Sequence, residues 1–202
     1  MIERVGLSEC LEYQYLATVL QNELKTGQLD KLHEQYSASR LDEVYKRIHA
    51  IMEKDCVRTT SRIVWYLGFR GLNYISTTLN LRFITPKSFV EQADKELSWQ
   101  FKGHPIHIDS NYNLAVNNRN IWIPFTDIDE KNTLEVYDKK ETVRFVGESG
   151  TAFLFDSDIP HKTVIAESCD RTRVTLTLRF CSKRPIFRDN RGLKYKMRWI
   201  WS

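Results

Sequence analysis

After Thr59 the chain breaks into short runs of β-branched and aromatic residues, and that texture limits the fold more than any other feature. The runs are "RIVWYL", "YISTTLNLRFI", "HPIHID", "NIWIPFTDI", "TLEVY", "TVRFV", "TAFLF" and "RVTLTLRF". Turn-forming clusters such as "NNRN", "DEKN" and "GESG" separate them. Many short strands punctuated by turns point to a sandwich, barrel or jelly roll, because a two-stranded piece of this length cannot bury its own apolar face. A helical piece is expected to interrupt the series around "SFVEQADKEL".

The first part of the chain reads differently. A helix is expected from a Ser8 N-cap to about Lys25, with Leu7, Leu11, Tyr15, Val19, Leu20 and Leu24 as its apolar stripe and Gly27 at its C-cap. A second is expected over 41–54, where Leu41, Val44, Tyr45, Ile48, Ile51 and Met52 recur at helical spacing. Both stripes read as packing surface. The 202 residues suit one domain. It divides into a helical N-terminal layer (1–56), a mainly β core (57–182) and a basic, aromatic tail (183–202). The tail sets Arg184, Arg188, Arg191, Lys194, Lys196 and Arg198 against Asp189.

Composition narrows the function classes. No window approaches ~18 uninterrupted apolar residues, so no membrane helix is expected. The opening "MIERVGLSECLEYQYL" carries acids early and lacks an apolar core, so no signal peptide is expected. Cys10, Cys56, Cys169 and Cys181 show no CxxC pairing, which reads as free thiols in a reducing cytoplasm. A net charge of +4 neither demands nor excludes a nucleic-acid partner. No "GxSxG" elbow supports a serine hydrolase.

The chemistry concentrates in "HPIHIDS", 104–110. On a strand, His107 and Asp109 share one face and can point at one ion, but they need a third ligand. Five histidines are available. His33 and His49 fall in the helical region, and Pro105 separates His104 from the pair. His161 ends "GTAFLFDSDIPH", a strand followed by a short polar loop, which is how a scaffold presents a ligand. His107, Asp109 and His161 would make a two-histidine, one-carboxylate facial triad. Such a triad leaves three positions of an octahedral iron(II) open. A closed zinc site would want a cysteine or a fourth ligand. Taken alone, HxD is a weak motif that any strand can show by chance.

The next strand adds a second element. In "RVTLTLRF", Arg173, Thr175, Thr177 and Arg179 share one face, and Val174, Leu176, Leu178 and Phe180 the other. Either the polar face meets water, or it lines a site. In the second case Arg173 with Thr175 can clamp a carboxylate in the planar fork that Lys lacks. A dicarboxylic 2-oxo acid could then chelate iron at one end and reach Arg173 with the other.

With these residues in place, the sequence resembles the iron(II)- and 2-oxoglutarate-dependent dioxygenases, specifically the phytanoyl-CoA dioxygenase-like family in a small bacterial form. The resemblance rests on "HID" (107–109), "IWIPFTDIDEKNTLEVY" (121–137), "GTAFLFDSDIPH" (150–161) and "RTRVTLTLRF" (171–180), roughly the second half of the chain. It implies a double-stranded β-helix (a cupin-like jelly roll) with Fe(II) held by His107, Asp109 and His161. It implies 2-oxoglutarate anchored by Arg173, helped by Thr175, with Arg171 as rival on the same strand face, and O2 as oxidant. The implied reaction is hydroxylation of an unactivated C–H bond, with desaturation or ring formation as variants. Retention of the Asp109 carboxylate implies oxygenation rather than halogenation. Small members of similar length tailor polar natural products such as aminoglycoside or amino-acid-derived antibiotics. Asn80, Arg82 and Trp122 are candidate substrate-lining residues, each with an ordinary structural explanation beside the functional one.

The sequence departs from the family where Thr133 stands for a common glycine, in a stretch that often borders the substrate. The short chain suggests a trimmed lid. Two other readings stay open. An AlkB-like nucleic-acid demethylase also carries HxD, a distal His and an R-x5-R pattern, here Arg173 to Arg179, and the basic tail could meet phosphates. A non-catalytic cupin-like module binding a metal or a sugar is the other.

Overall fold

The computed structural model describes residues 2–93, 99–112, 114–138, 141–187 and 197–200. Its body is two facing antiparallel sheets. The elements in chain order are β1 (Glu3–Gly6), α1 (Leu11–Leu24), α2 (Leu32–Gln35), α3 (Ala38–Lys54), α4 (Cys56–Tyr66), β2 (Asn73–Ser76), β3 (Asn80–Ile84), α5 (Lys87–Gln92), β4 (Arg119–Pro124), β5 (Asn132–Asp138), β6 (Glu141–Arg144), β7 (Thr151–Asp156), β8 (His161–Ile165), β9 (Arg173–Cys181) and β10 (Met197–Ile200). The larger sheet runs β1-β7-β4-β9-β2-β10, with β3 also paired to β9, and the smaller runs β6-β5-β8. This is the expected jelly roll with helices at its N-terminal side.

Period-two alternation sorts the side chains of the larger sheet. Val174, Leu176, Leu178 and Phe180 of β9 join Ile121 and Ile123 of β4 and Leu81 and Phe83 of β3 in a core shared with the helices. The opposite face turns toward the smaller sheet. There Trp122, Phe153 and Phe155 meet Leu134, Val136 and Phe145 in a second apolar cluster. α3 shows the expected stripe: Leu41, Val44, Tyr45, Ile48 and Met52 are buried, and the Ser37 hydroxyl caps its start by accepting from the Arg40 N–H at 3.4 Å.

Two local expectations are corrected, and one strand is added. α1 starts at Leu11 behind Cys10, and it ends on Lys25 in the left-handed conformation (φ 52°), two residues before Gly27. Its buried face is Leu16, Leu20 and Leu24, while Leu11 and Tyr15 are 74% and 45% exposed. α1 packs on α3 and α4 along that i, i+4, i+8 row, which overrides the broader stripe read from the sequence. "RIVWYL" lies largely in α4, not in a strand. Cys56, Thr59, Thr60, Ile63 and Val64 are buried at helical spacing, so packing outweighs β-branched propensity. Finally, β1 was unforeseen. It pairs with β7 from Glu3 opposite Leu154 to Gly6 opposite Thr151.

The interrupting helix is α5, and the remainder of that segment, 94–98, lies outside the described residues. The basic tail falls outside them over 188–196. All four cysteines are buried and free. Among the described residues no helix is long and apolar enough to cross a membrane.

Candidate metal centre and its cavity

"HPIHID" is not a strand. His107 makes one antiparallel bridge to His161, and Asp109 opens a short 3-10 turn, Asp109–Tyr112. The bridge does what the expected strand was to do. The His107 N–H donates to the His161 carbonyl and the His161 N–H to the His107 carbonyl, both at 2.9 Å. Residues paired this way place their side chains on the same face, and the two ring centroids are 4.3 Å apart. Asp109 is drawn to the same spot when its N–H donates to the Ser157 carbonyl at 3.1 Å.

Both imidazoles are set by the same local device. His107 Nδ1 lies 2.8 Å from the carbonyl of Pro105 and His161 Nδ1 lies 2.9 Å from the carbonyl of Ile159, two residues earlier in each case. A carbonyl can only accept, so the ring proton sits on Nδ1 and the Nε2 lone pair is left for a ligand role. The two Nε2 atoms face Asp109 Oδ1 at 3.8 and 3.7 Å. One ligand atom from each residue lies within 4.8 Å of the others, so the three can hold a metal ion.

Charge prepares the same state. Burial would raise the Asp109 carboxyl, but the Arg179 guanidinium, His161, the Asn120 hydrogen bond and His107 outweigh it and hold it below the usual range. Burial holds the His161 imidazolium below its usual range, against the pull of Asp109. An ionised carboxylate and a neutral imidazole are the forms a divalent ion binds. The second carboxylate oxygen, Oδ2, is turned away from the imidazoles. It accepts from Asn120 Nδ2 at 2.7 Å and lies 3.8 Å from Arg179 Nη2.

The triad sits in the wall of a cavity of about 470 Å³, within the usual range for small-molecule sites. All nine β9 residues are buried, and the polar face of β9 lines this cavity and is not an outer surface of the sheet. Register orders it. Arg179 lies opposite Asn120, Thr177 opposite Trp122 and Asn80, Thr175 opposite Arg82, and Arg173 opposite Ile84. Each expected residue, Arg173, Thr175, Asn80, Arg82 and Trp122, therefore lines the one cavity that holds the triad.

Arg173 is buried, and among the described residues its Nε and Nη1 have no hydrogen-bond partner; its guanidinium lies 5.5 Å from the Trp122 ring centroid. Burial and then the Arg82 charge push it down to about 9, which still leaves it a cation at neutral pH. Burial, the Arg179 charge and the opposing pull of Tyr45, Asp109 and Tyr112 set Arg82 at about 10. The Arg82 Nε donates to Asn80 Oδ1 at 3.1 Å.

Other sequence candidates fall away. Arg171 precedes β9, is half exposed and lies 3.4 Å from Asp129 Oδ2, outside the cavity, so it does not share a strand face with Arg173. Thr133 is buried in β5, away from the cavity lining, and its hydroxyl donates to the Phe145 carbonyl. His104 does reach the cavity, and burial followed by the Arg82 charge pushes its imidazole down to about 4. His49, set aside with the helices, also contributes to the lining. Sequence reasoning missed Asn120, whose period-two relation to Trp122 on β4 was the available signal. It also missed Tyr112, which ends the turn that Asp109 opens, and Tyr45, which was read only as part of a packing stripe.

No protein-family model matches this chain, and no curated protein matches it in sequence. Similarity appears among solved structures. The non-heme alpha ketoglutarate dependent carbocyclase SnoK from nogalamycin biosynthesis aligns over 98% of this chain and 91% of its own, with a TM-score of 0.53 at 9% identity. The non-heme alpha ketoglutarate dependent epimerase SnoN from the same biosynthesis aligns over 89% of this chain and 76% of its own, with a TM-score of 0.50 at 12% identity. A non-heme monooxygenase, ThoJ in its nickel complex, aligns over 71% of this chain at a TM-score of 0.45 and 12% identity, and the chain spans 56% of that protein's length. The narrower phytanoyl-CoA dioxygenase-like resemblance finds no matching family model. The chain has the jelly-roll fold of the alpha ketoglutarate dependent non-heme enzymes.

Proposed function

We propose that the protein is an iron(II)- and 2-oxoglutarate-dependent oxygenase that hydroxylates a C–H bond of a small polar molecule such as a natural-product intermediate. The observation that carries this reading is the presence, in one cavity, of a His-Asp-His triad and a buried guanidinium, Arg173, whose Nε and Nη1 have no acceptor among the described residues. Water-poor surroundings and unpaired charge are costly, so Arg173 needs an anion to justify its position. The donor set suits an octahedral ion with one face left open, and no cysteine lines the cavity to favour a closed zinc site.

In this reading His107, Asp109 and His161 hold iron(II), and Arg173 with the Thr175 hydroxyl anchors the distal carboxylate of 2-oxoglutarate. Iron(II) held by these residues would supply the activation of O2 at the expense of 2-oxoglutarate. The protein's own residues do the rest. Asn120 and Arg179 fix the Asp109 carboxylate from its far oxygen. The Pro105 and Ile159 carbonyls lock the ring protons. Trp122, Leu134 and Phe155 give the cavity its apolar wall, and Asn80 and Arg82 line its substrate side.

The test is anaerobic. Protein loaded with iron(II) and 2-oxoglutarate should show the weak visible charge-transfer band of the chelate, and His161→Ala and Arg173→Ala should each abolish it. No band from folded wild-type protein would leave a non-catalytic binding module as the better account. Product mass then separates outcomes: hydroxylation adds one oxygen atom, epimerisation changes nothing and ring closure removes two hydrogens.

A further inference from the structure

Pairing register lays three residues in a row along the cavity wall. Thr177, in the middle of β9, stands opposite Asn80 of β3 on one side and Trp122 of β4 on the other, and all three line the cavity. The Trp122 ring packs against Phe145 and Phe153, so the polar partner of Thr177 in this row is Asn80. Same-face neighbours on a strand are about 7 Å apart. Thr177 is one such step from Thr175, assigned to the co-substrate, and one from Arg179, which faces Asp109. The orientation of the Asn80 amide is fixed. The Arg82 Nε can only donate, so the atom it meets at 3.1 Å is Asn80 Oδ1, and the Nδ2 donors point the other way. Among the described residues Nδ2 has no acceptor, and the hydroxyl of Thr177, a residue only 8% exposed, makes no hydrogen bond. Polar groups in a wall of this kind are costly to leave unmatched, which points to a partner that enters from outside.

We propose that the substrate is a neutral carbonyl compound, whose oxygen accepts from Asn80 Nδ2 and from the Thr177 hydroxyl while a neighbouring C–H bond faces the metal. This deepens the oxygenase reading and rests on it. A carbonyl oxygen has two lone pairs in its plane, one for each side of the β3–β9 pair. Neither residue carries a charge, so the pair matches a neutral oxygen. A molecule of the same shape without the oxygen would leave both donors unpaired. Sites that hydrogen-bond a substrate reject such analogues far more sharply than apolar walls reject a change of shape.

The experiment uses protein loaded with zinc(II), a redox-inert stand-in, and saturating 2-oxoglutarate. Ligand-observed NMR measures binding of two ketones, 1-indanone and 1-tetralone, each against the hydrocarbon that lacks the oxygen, indane and tetralin. The ketones are expected to bind at least tenfold more tightly. Asn80→Asp keeps an oxygen for Arg82 but turns the donor side of the amide into an acceptor, so it should erase the preference. Thr177→Val should reduce ketone binding and leave hydrocarbon binding unchanged, and Thr177→Ser, which keeps the hydroxyl, should restore it. A purely structural role would weaken ketone and hydrocarbon alike. No preference for ketones in the wild type, including no binding by either, overturns the proposal. So does an Asn80→Asp protein that keeps the preference, or one in which 2-oxoglutarate affinity falls, since Asn80 would then belong to the co-substrate. Failure of the oxygenase reading itself is seen separately, as the missing charge-transfer band in wild-type protein.

Discussion

Asn120 Nδ2 donates to Asp109 Oδ2 at 2.7 Å, on the side of the carboxylate facing away from both imidazoles. The bond leaves Oδ1 as the oxygen presented to the two Nε2 atoms. Outer contacts of this kind typically contribute 10–100-fold to metal affinity. Asn120→Ala is therefore expected to weaken iron(II) binding by about that factor. Competition against a chromophoric chelator measures it, with thermal unfolding to verify the fold. Unchanged affinity would mean that Arg179 alone suffices to orient the carboxylate.

Arg173 gives a prediction of opposite sign for stability and for binding. A buried cation with two N–H-bearing nitrogens, Nε and Nη1, lacking acceptors among the described residues destabilises the ligand-free fold, offset only in part by the Trp122 ring. Arg173→Met should melt at or above the wild-type temperature without ligand. In the wild type, 2-oxoglutarate at a hundred times its Kd should add about 2.7 kcal/mol, and in the variant nothing. A ligand-free variant that melts several degrees lower would show the guanidinium to be a structural element.

Acid sensitivity should arise in the smaller sheet. Glu135 of β5 accepts from Tyr137 and Arg144 and lies 2.9 Å from Lys162, and these hydrogen bonds, Tyr137 first, lower its carboxyl to about 2. A carboxyl depressed in the folded state stabilises fully above its unfolded value, near 4.5, and that stability is lost as pH falls from there toward 2. Wild type and Glu135→Gln should differ in denaturant midpoint at pH 7 and converge as pH approaches 2. A constant gap across that window would count against the assignment.

The face of α1 can be tested by two truncations on one helix. Leu20 is fully buried, so Leu20→Ala should cost about 2–5 kcal/mol. Leu11 is 74% exposed, so Leu11→Ala should fall within about 0.5 kcal/mol of wild type. Urea denaturation of both variants decides between this face and the stripe read from the sequence.

The strand series, the α3 stripe and the alternation along β9 were legible because burial repeats with the period of the element. His107, Asp109 and His161 come together in space, but by another route than the expected strand. A single backbone bridge and a 3-10 turn do the work, and neither leaves a periodic trace. α4 was misread because β-branched residues such as Ile63 and Val64 favour strands locally, while its burial follows the helical period. Tyr45 reaches the cavity from a helix remote in sequence, which only tertiary packing reveals, and Tyr112 reaches it from the end of the 3-10 turn that Asp109 opens.

Register also sets how late the site can form. β9 supplies Arg173, Thr175 and Arg179, and it pairs with β4, β3 and β2, all made much earlier. During synthesis those strands wait with open edges until β9 emerges, so the centre of the larger sheet closes through distant contacts only. Chains built this way fold slowly and expose sticky edges in the interval. Yield of this protein should therefore respond to translation speed and growth temperature more than to changes on its finished surface.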